Sequence, residues 1–487
     1  MRKHGISRRA FHRRAAGAMA AVAAGPRLGA LAGEGKAKGE KPNVILIITD
    51  QQSAHMMSCT GNRWLKTPAM DYLAAHGVRF DRAYTTNPVC SPARIGLMTG
   101  RFPGAFRTPR GVPPRENGGA MSVRKVPDAV PRTNIAAHLK KAGYALAYAG
   151  KTHLPPPLHP KTLGFEFLTG NDRDECVKAS TAFLLREHDR PFYLVVSLIN
   201  PHDICYYAIN RYRFGQEPAQ RKGRGGPANR ELLAAMQFPA GVTTEEFLAK
   251  HCPPLPANHQ PQQDEPGGVR YLLDERKFRR QARETYNDND WRLHRWAYHR
   301  LTERVDRQIQ AVLDALRKSG REENTVVIFT SDHGDMDASH KMEHKTVLYE
   351  EAARIPLVVM HKGTSPAGRV DRTHLVSNGL DILPTVCDYA GLPAAQADPR
   401  GRSLRALIEG KPVPSWRETL GVESQIGRMV VGHGAKYIRY DVGGKQEQLL
   451  DLREDPGETR HVTGDPAHGP TLARLRAAYE KEWFPNA

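Results

Sequence analysis

The 487-residue chain contains no run of about 18 consecutive apolar residues, the length a helix needs to cross a bilayer, so no stable membrane anchor of that kind is expected. Cysteine is scarce: six residues in this length do not make a disulfide framework. Acidic residues are outnumbered, 52 against 71 Lys and Arg, which leaves a formal net charge of +19. Such a surplus points to a polyanionic partner: nucleic acid, acidic lipid or an anionic substrate. A nucleic-acid partner is not expected, because no supporting motif and no interleaving of aromatic with basic residues is present. Internal repeats are missing, and no Gly-x-Ser-x-Gly elbow presents a serine nucleophile. Hydrophobic residues make up 40% and charged residues 25%, the composition of a globular chain. Its length implies two or three domains, or one large α/β domain with an appendage.

Residues 1–32 read as an address rather than as fold. Arg8 and Arg9 lie in Ser7-Arg8-Arg9-Ala10-Phe11, similar to a twin-arginine export signal. A weakly apolar, Ala-rich stretch follows from Ala15 to Gly25, and Ala30-Leu31-Ala32 offers a small-residue cleavage site. Arg27 interrupts the pattern, and a disordered basic tail is the alternative. The expectation is an exported protein, periplasmic or extracellular, with the twin-arginine export machinery as a partner. The segment holds seven basic residues and no acidic one, so its removal leaves 64 basic against 52 acidic residues, a charge of +12.

Gly33–Lys41 is a polar linker, and the folded region begins at Pro42. Asn43–Thr49 is a continuous apolar run of strand length, suited to a strand buried on both faces, and it ends in Asp50-Gln51-Gln52. The same grammar recurs. Tyr144–Ala149, after a helix spanning roughly 132–141 and stopped by Gly143, runs into Gly150-Lys151-Thr152-His153. Phe192–Ile199 runs into Asn200-Pro201-His202-Asp203, and Thr325–Phe329 into Ser331-Asp332-His333-Gly334-Asp335. Leu301, Val305, Ile309, Val312, Leu313 and Leu316 fall at helical spacing just before that last strand. Helix and strand in alternation indicate an α/β fold with a large, mostly parallel mixed sheet between helices. Ligands of such sheets bind beyond the carboxyl ends of the strands.

Residues 204–290 are rich in Pro, Arg and Gln, with weak periodicity and a basic stretch of Arg211, Arg213, Arg221, Lys222, Arg224 and Arg230. They read as a variable insertion over the sheet, either a solvated loop or a substrate-contacting lid. A helix over 378–389 precedes Gly391-Leu392-Pro393. Lys436–Tyr440 and Glu447–Leu452 read as strands joined through Gly443-Gly444. The division is an α/β domain at 42–394 and a small α+β subdomain at 395–487.

Asp50 and Asp332 each stand just past an apolar strand. Two carboxylates brought together repel unless a cation or a proton lies between them. Gln51 adds a neutral oxygen and His333 a nitrogen, a set that suits Ca²⁺ or Mg²⁺ and, through the imidazole, Mn²⁺. The competing account makes both aspartates helix N-caps. Lys151 and Lys345 are candidates for neutralising an anionic ester, or simply solvated. His153 and His202 are candidates for proton transfer, or structural. Cys90, in Pro88-Val89-Cys90-Ser91-Pro92-Ala93-Arg94, reads by composition as a buried or free thiol.

Cys90 with Pro92 at +2 and Arg94 at +4, continued by Leu97-Met98-Thr99-Gly100-Arg101, resembles the signature of type I sulfatases, of the alkaline-phosphatase-like superfamily. The resemblance extends over most of residues 42–460 and takes in the four strand ends, His344–Glu351 and Asp451–Glu458. It implies that Cys90 is oxidised to formylglycine by a formylglycine-generating or sulfatase-maturating enzyme, and that the hydrated gem-diol is the nucleophile. It implies one divalent metal, Ca²⁺ first and Mn²⁺ second, held by Asp50, Gln51, Asp332, His333 and the modified Cys90. It further implies that Arg94 holds the modified side chain and that Lys151 and Lys345 stabilise the sulfuryl group. His153 would deprotonate the diol, and His202 would serve the leaving oxygen. Ser91, Thr99 and Gly100 would serve recognition by the modifying enzyme and local packing.

Two positions depart from the common pattern: Gln51 replaces an aspartate and His333 an asparagine. Both variants resemble a branch that includes phosphonate monoester hydrolases and choline-sulfatase-like enzymes. The expected activity is hydrolysis of sulfate esters on a sulfated carbohydrate. The alternatives are phosphonate or phosphate ester hydrolysis, a small-molecule sulfatase, and a non-catalytic binder of sulfated glycans. The other cysteines, Cys59, Cys176, Cys205, Cys252 and Cys387, are expected as buried or free thiols without a bridge.

Overall fold

Every residue of Asn43–Asp50 is buried, as a strand with parallel neighbours on both sides and helices on both faces requires. The computed structural model describes residues 41–214, 226–392, 398–432, 434–444 and 446–484. The expected leader at 1–32, the linker up to residue 40, and Arg221, Lys222 and Arg224 lie outside the described residues.

The strands are β1 (Asn43–Asp50), β2 (Val78–Phe80), β3 (Ala83–Tyr84), β4 (Ala145–Gly150), β5 (Glu166–Thr169), β6 (Phe192–Pro201) and β7 (Thr325–Ser331). They continue as β8 (Leu357–His361), β9 (Arg369–Asp371), β10 (Val376–Ser377), β11 (Leu420–Ser424), β12 (Gly427–Val431), β13 (Ala435–Tyr440) and β14 (Glu447–Asp451). The main sheet has the order β5-β4-β6-β1-β7-β8-β2-β9. From β5 to β7 the pairing is parallel; β8 is antiparallel to β7 and to β2. The expected large mixed sheet, mostly parallel, is the one observed.

Alternation along β1 divides the core. Val44, Leu46 and Ile48 face a cluster that includes Ile135 and Leu139 of Ile135–Lys141, Ile95 of Cys90–Thr99 and Leu383 of Asn378–Tyr389. Ile45 and Ile47 face Val305, Ile309, Val312 and Leu316 of the long helix Asp288–Lys318. The expected helix over 132–141 is two pieces, Val130–Thr133 and Ile135–Lys141. Asn134 is extended between them, and its side chain caps the second by accepting from Ala137 N at 3.0 Å.

β11 to β14 form an antiparallel sheet covered by the helix Gly469–Trp483 through Leu472, Leu475 and Tyr479. Its other side joins the main unit through Val422, Met429 and Ile438, which share a buried cluster with Tyr84, Phe102 and Leu348. An ion pair ties the same region together: Arg417 Nη1 and Nη2 each lie 2.6 Å from a carboxylate oxygen of the fully buried Asp381. Removing one partner leaves a buried charge uncompensated. Arg417→Ala should therefore destabilise the fold by about 3 kcal/mol, read as a lowered denaturation midpoint in urea.

The segment 204–290, expected as an insertion over the sheet, carries defined helices. Its described residues form the helices Cys205–Phe214, Pro227–Ala235, Gly267–Glu275 and Lys277–Thr285. Ile204, Tyr207, Leu232, Ala282 and Tyr286 bury a common cluster with Trp291, Tyr298 and Leu301 of the long helix. These helices are short and each buries only a few apolar residues, so no apolar period stands out. Arg211 of the basic stretch is engaged with Asp290 at 2.7 Å.

Candidate active site

The ends of β4, β6, β1 and β7 are adjacent in the sheet, so the residues after them meet at one edge. The helix Cys90–Thr99 aims its N-terminus at the same edge. Val89 is its extended N-cap, Cys90 its first residue, and all ten residues are buried. Gly96 lets the helix approach so closely, since a Cβ there would meet Thr86 Oγ1 at 2.6 Å and Gly379 Cα at 3.4 Å. A helix N-terminus stabilises negative charge on the group placed there.

Cys90 Sγ lies 3.0 Å from Lys345 Nζ, 3.1 Å from His333 Nε2 and 3.5 Å from Asp50 Oδ1. Burial and Asp50 push the thiol up, yet Lys151, Lys345 and His333 together hold it well below the ordinary range of a cysteine. Asp50 is buried and contacts Lys151 Nζ at 2.6 Å and Arg94 Nη2 at 3.0 Å, both on Oδ2. Burial opposes its charge, but Lys151, His202, Arg94 and Lys345 hold it well below the usual carboxylate range. Arg94 bridges the two acids: its Nε lies 2.8 Å from Asp332 Oδ2, and its Nη1 bonds Ser197 Oγ at 2.8 Å and Lys151 O at 3.0 Å. Burial and the neighbouring Asp50 lift Asp332 to about 6.

These numbers test the fit of a divalent cation. One carboxylate is ionised, and its neighbour resists ionisation because a second negative charge would stand beside the first. Ligand atoms of Asp50, Cys90, Asp332 and His333 all lie within 4.8 Å of one another, as donors around a single ion must. Gln51, the other expected ligand, adjoins the group. Its Oε1 accepts from Lys345 Nζ at 2.7 Å and Cys205 Sγ at 3.1 Å, so an ion would have to draw that oxygen away from both. An ion would offset the mutual repulsion of the two acids, and the residues present fit one.

The other expected residues fall at different distances from this cluster. His202, just past β6, has Nε2 at 3.9 Å from Asp50 Oδ1. Burial, Lys345 and Lys151 push its pKa down to about 4, so at neutral pH it is an uncharged imidazole. His153 follows Lys151 in a backbone of φ +44°, with Nδ1 buried and without a hydrogen-bond partner. It bonds none of the cluster residues among the described residues. Neither carboxylate acts as a helix N-cap: Asp50 ends β1, and Asp332 Oδ1 accepts from Gln51 N at 3.2 Å and His333 N at 2.9 Å.

Three contributors had no role in the sequence reading. Asp335 Oδ2 accepts from Gln51 Nε2 at 2.6 Å and fixes which end of that amide faces Lys345; burial lifts its pKa to about 7. Cys205, four residues past β6, contacts Gln51 Oε1 at 3.1 Å, with its thiol pushed up to about 12 by burial. Tyr298 donates to Gln51 O at 2.7 Å from the long helix. The position of Asp335, three residues after Asp332 in the same apolar-to-polar transition, was the available signal for the first. Cys205 and Tyr298 carried none, because long-range packing alone brings them in. All six cysteines stand as free thiols, and all but Cys59 are buried.

A parallel sheet whose strand ends gather two acids, two lysines, an arginine and a low-pKa thiol defines a centre for cleaving an anionic ester. The chain belongs to the sulfatase family, whose model matches residues 42–392, and is a sulfuric ester hydrolase. A second model, "N-sulphoglucosamine sulphohydrolase, C-terminal", matches residues 338–482. The chain is 28% identical over 472 residues to the Delta 4,5-hexuronate-2-O-sulfatase of Bacteroides thetaiotaomicron, covering 92% of this chain and 90% of that one. The solved structure of a 2-O GAG sulfatase superposes with a TM-score of 0.74 at 25% identity, covering 91% of this chain and 92% of the other. The phosphonate monoester hydrolase of Agrobacterium radiobacter shares the fold, with a TM-score of 0.65 at 22% identity over 90% and 94% of the two chains.

Proposed function

We propose that this sulfatase hydrolyses a sulfate ester on a sulfated carbohydrate, with formylglycine made from Cys90 as the nucleophile. The observation that carries the reading is the placement of Cys90: its Sγ stands 3.0 Å from Lys345, 3.1 Å from His333 and 3.5 Å from Asp50, at the point where the strand ends converge. Support for the carbohydrate comes from the hexuronate and GAG sulfatase relatives.

Oxidation of Cys90 by a formylglycine-generating or sulfatase-maturating enzyme replaces the thiol with an aldehyde, and water adds to give a gem-diol. One diol oxygen attacks sulfur as the S–O bond to the sugar breaks, and the sugar oxygen leaves as an alcohol after gaining a proton. The second hydroxyl then loses its proton to His153, the C–O bond to sulfate breaks, and the aldehyde re-forms. Lys151 and Lys345 counter the charge on the sulfuryl oxygens, and Arg94 keeps the two acids oriented. A divalent cation, Ca²⁺ in this reading and Mn²⁺ as the alternative, held by Asp50, Gln51, Asp332, His333 and the modified Cys90, would supply Lewis-acid polarisation and lower the nucleophile's pKa. Export through the twin-arginine machinery to the periplasm or beyond belongs to the same reading. It rests on Ser7–Phe11, and that route suits a chain modified and folded before it crosses.

The test compares kcat/KM for an aryl sulfate and the matching aryl phosphonate. The sulfate should be preferred; a preference for phosphonate of more than about tenfold would contradict the proposal.

The role of His202 follows from its neutral state. It offers a hydrogen bond to the leaving oxygen, and that matters only when the leaving group is a poor one. His202→Ala should lower kcat/KM about a hundredfold for a sugar sulfate, while 4-nitrophenyl sulfate, whose phenolate leaves unaided, should lose less than about threefold. Equal losses on the two substrates would assign His202 to another step.

A further inference from the structure

Arg279 is buried, 7% exposed, on the helix Lys277–Thr285. Its Nη2 reaches Thr346 Oγ1 at 3.5 Å, a long bond, and its guanidinium carbon stands 5.9 Å from the Phe278 ring centre. Nε and Nη1 are buried with no hydrogen-bond partner, and Arg279 forms no ion pair among the described residues. An unpaired guanidinium away from water is costly, by several kcal/mol in the general case, and such a group persists where an anion completes it. Burial and Arg276 lower its pKa to about 10, and the more distant acids Asp335 and Glu275 do not make up the difference.

The position of this arginine says which anion. Thr346 follows Lys345, whose Nζ touches Cys90. Thr346 N also bonds Pro88 O at 3.0 Å, two residues before Cys90, so the loop that Arg279 touches through Thr346 is pinned to the segment of Cys90. Asp335, in contact with Gln51, is among the acids near enough to act on the guanidinium. Lys151 and Lys345 are already engaged at the sulfate-facing cluster, whereas Arg279 contacts neither acid of it.

We propose that Arg279 is a specificity-determining residue that receives a second anionic group of the substrate, a carboxylate or a further sulfate, on the sugar carrying the ester to be cleaved. The proposal rests on the sulfated-carbohydrate reading above. A substrate with two negative groups is then held at two points, the scissile sulfate at the lysines and the second anion at Arg279.

Arg279→Met keeps the length and removes the charge; Arg279→Lys keeps the charge. Three substrates separate the sources of the anion: a hexuronate 2-O-sulfate, a glucosamine with N- and 6-O-sulfates, and 4-nitrophenyl sulfate, which has no second anion. Arg279→Met should lower kcat/KM for one of the two sugars about ten- to a hundredfold more than for the aryl sulfate, mainly through KM. The sugar affected identifies the anion, and Arg279→Lys should recover part of the loss. Equal changes on all three substrates would overturn the proposal. Calorimetric binding of the same two sugars to a Cys90→Ala chain, with and without Arg279→Met, gives an answer that does not require turnover. If the unsubstituted enzyme cleaves no sulfate ester, the proposed function fails. Arg279 is then judged by binding alone, with an affinity loss in support and no loss, or no binding of either sugar, against.

Discussion

Cys90→Ala should lower kcat/KM for 4-nitrophenyl sulfate by about ten-thousandfold while leaving the thermal midpoint within a few degrees of the unsubstituted chain. The size of the effect follows from where Cys90 stands. Lys345 and His333 are within 3.1 Å of its sulfur, so a cation and an imidazole are both aimed at this one atom. Alanine removes that atom and leaves Asp50, Asp332, Arg94 and the lysines in place. Cys90→Ser separates a gem-diol from an ordinary alcohol. A serine hydroxyl can attack sulfur once, but it has no second hydroxyl to expel the sulfate, so the expected result is a single-turnover burst and a chain carrying one sulfate. Steady turnover by Cys90→Ser above about a tenth of the unsubstituted rate would show that the second hydroxyl is not needed.

The second large effect belongs to the acids. Asp332→Asn is nearly the same shape, but it removes a charge from the group within 4.8 Å that suits an ion, and it breaks the 2.8 Å contact with Arg94. The ion then loses one carboxylate ligand. Affinity for Ca²⁺ or Mn²⁺ should fall at least about a hundredfold, and kcat/KM about a thousandfold. The ion's own signature is independent of activity. Bound metal stabilises the folded state, by about 2.7 kcal/mol at a hundred times Kd, so the thermal midpoint of the unsubstituted chain should rise with added ion and fall back with chelator. Asp332→Asn should show a much smaller rise. A chain that keeps full activity through exhaustive chelation would remove the cation from the account. Titrating Ca²⁺ and Mn²⁺ separately decides which ion the Gln51 and His333 substitutions favour.

The legible parts of this protein were those where one local pattern sufficed. β1, β6 and β7 are continuous apolar runs because parallel neighbours and helices bury both faces, and each stops at the polar residue that enters the site. The lone charge-bearing turns after them, Asp50, Lys151, His202 and Asp332, therefore point to one edge of one sheet. The segment from Cys90 to Arg101 was legible only through its resemblance to the sulfatase signature; the helix Cys90–Thr99, with Cys90 at its first position and Arg94 about one turn on, came from the structure. The helices between 205 and 285 were not legible. Their buried faces are narrow, and they pack against the long helix Asp288–Lys318 or, for Gly267–Glu275, against the cluster under the antiparallel sheet. For the same reason Tyr298 could not be assigned to the site: it reaches Gln51 from the long helix, which only the fold brings there.

The charge surplus also acquires a place. The +19 of the sequence falls to +12 without the first 32 residues, and several of the remaining cations are spent inside the protein. Arg94 bridges Asp50 and Asp332, Arg417 holds Asp381, and Lys436 lies buried between Glu350 at 2.9 Å and Glu458 at 2.6 Å. In the proposed reading, discrimination among anions would depend on a few positioned groups, Lys151, Lys345 and Arg279, more than on overall charge.

The most direct measurement is the mass of the peptide containing Cys90, taken from chain produced in its own host. The account predicts that this peptide is lighter by the exchange of one sulfur and two hydrogens for one oxygen, and that the fraction so converted tracks specific activity across preparations. An unmodified thiol at Cys90 in fully active enzyme would contradict it.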